Sequence, residues 1–375
     1  MRFPEFSGEW IESKLGDIAD FSKGAGISKD QRSEEGNPCI LYGELYTRYK
    51  SEVITNVFSK TALPDSELVK SKSNDIIIPA SGETAEDIAT ARCVPFDNIL
   101  LGGDLNIIRL HEQDGKFFSY QLNGVRKYDI ATVAQGVSVV HLHAGDLKGI
   151  TVKYPSHIAE QEKISQILGL IDDRIATQSK IIEELTALRS ALLEKVFQVS
   201  NPTLKVGAIA HQTSERNKLC RYSNVLSVSN RFGFINQSEQ FEDRNVASDD
   251  VRNYKVVHRG DFAYNPARIN VGSIAMLKSF ESGIVSPMYI CFQVDDTIVD
   301  PSFFELFLET KAFKDEMEIR LEGSVRRCLS FEALCEIHLP RPALLVQRSI
   351  SDKIGNISSK IKLEDRILRA YIRQK

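Results

Sequence analysis

Several short motifs in this sequence could do chemistry, and each lacks something the chemistry needs. Tyr264-Asn265-Pro266-Ala267-Arg268 follows a strand-like run, as the catalytic turn of an amino-methyltransferase would. The second Pro and the aromatic residue of such a turn are missing, and no Gly-rich cofactor loop follows a strand. Lys23-Gly24-Ala25-Gly26 and Leu101-Gly102-Gly103-Asp104 lack the spacing of a nucleotide fingerprint and read as turns. Glu12-Ser13-Lys14 supplies the second part of a metal-nuclease motif without a suitable strand-borne Asp before it. His141-Leu142-His143 places two imidazoles on one strand face, because side chains alternate along a strand. No carboxylate or Cys sits nearby at ligand spacing, so no metal is expected there. A Walker-type loop is absent. Neither a self-contained active site nor a cofactor bound by this chain is expected.

Polar loops remain. Gly323-Ser324-Val325-Arg326-Arg327 is small and doubly cationic, and Gln135-Gly136-Val137-Ser138 leads to His141 and His143. Ser, His and Arg on a loop suit phosphate anchoring and base-edge readout. Ser138, His141, His143, Ser324, Arg326 and Arg327 are therefore the candidate DNA-contact residues. A net charge of -4 argues against a small freestanding nucleic-acid binder, so such a role needs local patches or a partner that supplies positive charge. No apolar run reaches membrane-spanning length, and the start Met1-Arg2-Phe3-Pro4-Glu5 lacks the apolar core of a signal peptide. Six cysteines without a CxxC pair fit a reducing cytoplasm.

The elements that carry these loops are written twice. Lys14-Leu15-Gly16-Asp17-Ile18-Ala19 matches Lys205-Val206-Gly207-Ala208-Ile209-Ala210 at an offset of 191. Asp75-Ile76-Ile77-Ile78-Pro79 is echoed from Asp261, and Phe117-Phe118-Ser119-Tyr120 by Phe303-Phe304-Glu305-Leu306, both at 186. Leu147-Lys148-Gly149-Ile150 through Pro155 pairs with Leu334-Cys335-Glu336-Ile337 through Pro342 at 187. Four blocks in one order at a nearly constant offset mark a duplicated unit. Apolar runs such as 76–78 and 284–292 read as buried strands, and a helix is expected from Phe303 to about Leu321. Short strands with a few helices suggest α+β halves, and Ser200-Asn201-Pro202 reads as the linker between them.

Each half closes on a heptad helix. The first seam is Ile164, Leu168, Ile171, Ile175, Ile182 and Leu185, continuing to Leu192 and Val196, with Gln178 and Arg189 as polar interruptions. The second is Ile350, Ile354, Ile357, Ile361, Leu368 and Tyr371, interrupted by Glu364. Subtracting 186 maps the second seam onto the first, Glu364 onto Gln178 included. The first helix, roughly 35–39 residues, would be about 50–58 Å long and reads as a spacer rather than a core helix. A pseudo-twofold relation between the halves would run the two helices antiparallel.

With these features in place, the whole chain resembles the DNA specificity subunit of a type I restriction–modification system. The resemblance rests on Gly8-Glu9-Trp10 with Lys14-Leu15-Gly16-Asp17-Ile18, on the repeat of that opening at 205, and on Pro155 followed by Gln161-Glu162-Lys163-Ile164. It rests also on Pro342 followed by Gln347-Arg348-Ser349-Ile350, where Arg replaces Glu, and on the closing helices. It implies two pseudo-symmetric target recognition domains, 1–158 and 200–343, and two long antiparallel coiled-coil helices, 159–199 and 344–375. It implies a non-catalytic subunit that reads a bipartite double-stranded DNA target. Two adenine methyltransferase subunits would use S-adenosylmethionine, and restriction subunits would use ATP with Mg. Two other classes stay open: a DNA-modifying enzyme with its own recognition domain, and a tandem coiled-coil adaptor that binds only proteins.

Overall fold

The run Asp75–Pro79 is a strand buried along its whole length. Side chains alternate across it, so Ile76 and Ile78 join a core with Phe117, Phe118 and Leu122, while Ile77 joins Ile40, Leu45 and Leu101 on the opposite face. Burial on both faces explains why the run is apolar throughout rather than alternating. The strand lies in a four-stranded antiparallel sheet ordered Ala19–Lys23, Leu105–Leu110, Asp75–Pro79, Arg92–Val94. The second half builds the same order from Ala210–Thr213, Ile290–Val294, Phe262–Tyr264 and Ile274–Met276. There Phe262 and Tyr264 face one core and Ala263 another. In each half the opening strand pairs with the strand that precedes the long helix, Trp10–Lys14 with Thr151–Pro155 and Thr203–Lys205 with His338–Pro340.

This computed structural model describes residues 3–136, 138–198, 203–237, 250–323 and 327–375. The expected linker at Ser200-Asn201-Pro202 lies outside them. The chain forms two compact units, Met1–Thr177 with Leu368–Lys375, and Gln178–Ile367. The class is α+β with two long helices, Ile158–Gln198 and Leu344–Gln374. The first has 41 residues and is about 60 Å long. Among the described residues no helix is long and apolar enough to cross a membrane.

Within each unit the two long helices run antiparallel. In the first unit Lys375 pairs with Asp172 at 2.5 Å, and Arg174 lies over the Tyr371 ring. In the second, Arg189 Nε donates to Ser358 Oγ at 2.7 Å and Gln178 Nε2 donates to the Glu364 backbone oxygen at 3.1 Å. Partner numbers fall as the first helix advances. Residues 172 and 358 are repeat-equivalent, as are 189 and 375, so one polar contact serves both units. Ile164, Leu168, Ile171, Ile175, Ile182, Leu185, Ile350, Ile357, Ile361, Leu368 and Tyr371 are half-buried and Ile354 is buried, as the seams require.

Three sequence expectations change. Beyond Arg189 the fully buried positions are Leu193 and Phe197, with Leu192 and Val196 only half-buried. Steps of four carry the apolar face round the helix until the Phe197 ring packs, tilted, against Phe303 and Phe307, with centroids 4.8 and 5.6 Å away. The run 284–292 is two strands, Ser282–Val285 and Ile290–Val294, because Pro287 has no N–H for a ladder. The helix expected from Phe303 to about Leu321 is two, Pro301–Glu309 and Lys311–Arg320. They part at Thr310, whose extended backbone ends the first and whose hydroxyl caps Phe313 N in the second.

Candidate nucleic-acid interface

The candidate loops are built alike. In the first half Gln135 and His141 exchange backbone hydrogen bonds of 2.9 and 2.7 Å, closing a loop over 136–140. In the second, Glu322 and Cys328 exchange bonds of 2.9 and 2.8 Å. Each closed loop opens on a left-handed glycine, Gly136 at φ 127° and Gly323 at φ 107°. At Gly136 a Cβ would meet the Val139 oxygen at 2.1 Å, so the turn requires glycine.

Each loop is then propped from below. Leu142 N donates to Ala80 O at 2.9 Å, and Leu329 N to Pro266 O at 3.1 Å. The Leu142 carbonyl accepts Asn106 Nδ2 at 2.9 Å. The equivalent Leu329 carbonyl accepts the Tyr264 hydroxyl at 3.2 Å. Tyr264 is fully buried, and burial holds its hydroxyl protonated. Asn265 Oδ1 accepts from Ala267 N at 3.1 Å. The turn that resembled a catalytic motif is therefore a support for the loop.

Ser138, His141 and His143 are exposed, and the two imidazoles stack at 6.4 Å with 10° between their planes. Ser324 and Arg326 lie outside the described residues. Arg327 is half-exposed, and it is not free: its guanidinium pairs with the Glu318 carboxylate and donates to the Glu318 backbone oxygen at 3.0 Å. That partner was not visible in sequence, because it comes from the preceding helix.

The buried cysteines are held as thiols. Burial pushes the thiols of Cys93 and Cys291 up to about 12 and that of Cys39 to about 11, far from the thiolate a nucleophile needs. Among the described residues no three His, Cys, Asp or Glu side chains gather as metal ligands would. Each half does hold an open cavity that sequence reasoning missed. One of about 210 Å³ in the second half is lined by Asn230, Gln237, Asn265, Arg268, Ser273 and Ser286 among others, with no carboxylate in its wall among the described residues. Arg268 is exposed there, two residues past the Pro266 carbonyl that holds the loop. The other, about 650 Å³ in the first half, includes Lys29, Gln31, Arg32, Tyr42 and Tyr46 in its lining. Neither follows a spacing rule, since each wall comes from several separate turns.

Comparison with known proteins places this architecture. A family model for the type I restriction modification DNA specificity domain matches residues 7–187. The MjaVIII type I restriction enzyme specificity subunit of Methanocaldococcus jannaschii is 22% identical over 401 residues, taking in 97% of this chain and 89% of that protein. The crystal structure of a type I restriction–modification S subunit from M. genitalium shares the fold over 99% of this chain and 96% of its own, with a TM-score of 0.64 at 17% identity. A structure concerning complex assembly and conformational transition of the type I R–M system covers 99% and 96%, with a TM-score of 0.53 at 13% identity. The family model spans the first half directly, and the second half repeats its sheet order, closed loop and helix contacts. Residues 7–187 match the type I restriction modification DNA specificity domain, and the chain over almost its whole length is similar to type I specificity subunits in sequence and fold.

Proposed function

We propose that this chain tells a type I restriction–modification complex where to act, each half reading one part of a bipartite, asymmetric DNA target. The duplicated closed loop is the observation that carries this reading. Gln135 and His141 in one half and Glu322 and Cys328 in the other are repeat-equivalent pairs that exchange the same backbone bonds, yet the sequences they enclose carry unlike side chains. Two readers on one scaffold suit two different half-sites. The paired helices keep the half-sites a set distance apart. In this reading the chain presents DNA to two adenine methyltransferase subunits, which hold S-adenosylmethionine, and to restriction subunits that use ATP with Mg. It contributes recognition and spacing in the cytoplasm and supplies no reacting group of its own.

Genome-wide mapping of N6-methyladenine, with the cognate methyltransferase and with or without this chain, tests the reading. A split motif should appear only when the chain is present. Inserting four residues into the helix after Leu185 adds about 5–6 Å of rise, comparable with one to two base pairs at about 3.4 Å each, so the gap in the motif should lengthen. A stable complex that leaves the methylation map unchanged would support a protein-only adaptor instead.

A further inference from the structure

A hydrogen-bonded joint around a buried glutamine fastens each recognition domain to the start of its own long helix, and it is built from the same residue types in both halves. In the first, Gln161 Oε1 accepts from Asp114 N at 3.0 Å, and Gln161 Nε2 donates to Pro155 O at 2.9 Å. Ser165 Oγ donates to Asp114 Oδ2 at 2.6 Å. Asp114 also caps the helix Gly115–Asn123, accepting from Lys116 N and Phe117 N. In the second, Gln347 Oε1 accepts from Asp300 N at 2.9 Å, Gln347 Nε2 donates to Pro342 O at 2.8 Å, and Ser351 Oγ donates to Asp300 Oδ1 at 2.8 Å. Asp300 caps Pro301–Glu309 through Phe303 N. The Asp, Gln and Ser of one joint map onto the other at an offset of 186. Gln161 and Gln347 are 2% and 0% exposed.

We propose that Asp114–Gln161–Ser165 and Asp300–Gln347–Ser351 are positioning residues that fix the direction in which each domain leaves its helix, and so hold the gap between half-sites to a single length. The inference rests on the spacer reading above. Between the strand Thr151–Pro155 and the helix Ile158–Gln198 the chain is joined only by Ser156 and His157, a link about which the domain could swivel. Apolar packing of Ile164 on the domain core resists separation but has little directional preference. Hydrogen bonds are directional, and the three of each joint tie the exit strand, the domain helix and the long helix together. Glutamine suits the position because its amide accepts from the Asp backbone N–H and donates to a carbonyl at once; Glu could do only the first.

The test is the methylation map of the full complex carrying Ser165→Ala, Gln161→Ala, or Gln347→Ala, scored by gap length. Methylation at gaps one base pair shorter or longer should rise about five- to tenfold relative to the cognate gap, the ratio that follows from losing about one hydrogen bond. Base preferences within each half-site should stay unchanged, and Ser165→Thr, which keeps the hydroxyl, should restore the single gap. If Gln161→Ala does not fold, Ser165→Ala still decides, because it removes one hydroxyl and leaves both caps. Methylation that falls equally at every gap, with the cognate gap still exclusive, overturns the proposal and leaves the joint a purely stabilising contact. The four-residue insertion run beside it separates the two ideas. A lengthened gap there with unaltered stringency in the joint variants defeats only the joint; an unlengthened gap defeats the spacer reading and the joint with it.

Discussion

In the first half an amide, Asn106 Nδ2, supports the carbonyl beneath the candidate reading loop; in the second a phenol, Tyr264, supports the equivalent carbonyl from the neighbouring strand. Asn106 stands opposite Ile78 in the sheet and Tyr264 opposite Ile290, so the polar and apolar members of one cross-strand pair have exchanged strands. The same divergence recurs at the start of the central strand. Asp75 accepts two bonds from Arg109 at 2.7 and 2.8 Å, while its equivalent Asp261 accepts one from Gln293 at 2.7 Å. On the loops, His141 and His143 of one half correspond to Cys328 and Ser330 of the other. Where domain meets helix the divergence is least: Asp, Gln and Ser repeat with the same three bonds, to which Gln347 adds one to Ile298 O. The two copies therefore share what holds the reader and differ in what is presented and how it is buttressed, the pattern expected if they read different sequences from a common frame.

The comparison can be broken most severely at the shared cores. Phe118 and Phe304 are repeat-equivalent and both fully buried. Each truncated to Ala should cost its own unit about 3–5 kcal/mol, and the two costs should match within the spread usual for such sites. Denaturant unfolding followed separately in the two units measures this. One unit losing less than about 1 kcal/mol would show that the cores are not equivalent frames. A smaller effect separates the buttresses. Tyr264→Phe removes one hydroxyl and leaves the Leu329 carbonyl without that partner, at a cost of about 1–2 kcal/mol. It should blur base preference in one half of the methylated motif, and Asn106→Ala should blur the other half. Both variants blurring the same half would sink the assignment of one loop to each half-site.

The seams were legible in sequence because a heptad is a local signal, set by the helix period within one segment. The buried strand at Asp75 was legible for the same reason, as a short apolar run bounded by turns. The joints were not. Gln161 stood out only as part of a resemblance, since its partner Asp114 lies in another segment and an isolated Asp before a helix signals a cap and nothing more. Arg327 read as a loop cation because its partner Glu318 stands nine residues back on a helix, and no spacing rule pairs a loop residue with a helix residue at that distance. Leu193 and Phe197 escaped because a strict heptad continued past Arg189 predicts the wrong face once the helix leaves its partner for the domain core.

The smallest expected effect lies where the two copies touch their own image. Gln178 and Glu364 are repeat-equivalent, both nearly enclosed, and hydrogen-bonded to each other across the paired helices. A bond to Lys360, and next the one from Gln178, hold the Glu364 carboxyl below its ordinary value. A carboxyl lowered in the folded state adds stability that is complete above the ordinary carboxylate range. That stability is lost as pH falls through the lowered value. Glu364→Gln keeps an amide to face Gln178 and removes the titrating group and the Lys360 pair. Melting temperatures of the two proteins should therefore differ near neutral pH and converge in acid. A difference that stays constant down the acid range would mean that the symmetric pair sets helix register through shape and amide bonding alone, with no contribution from the charge on one side that makes the copies unlike.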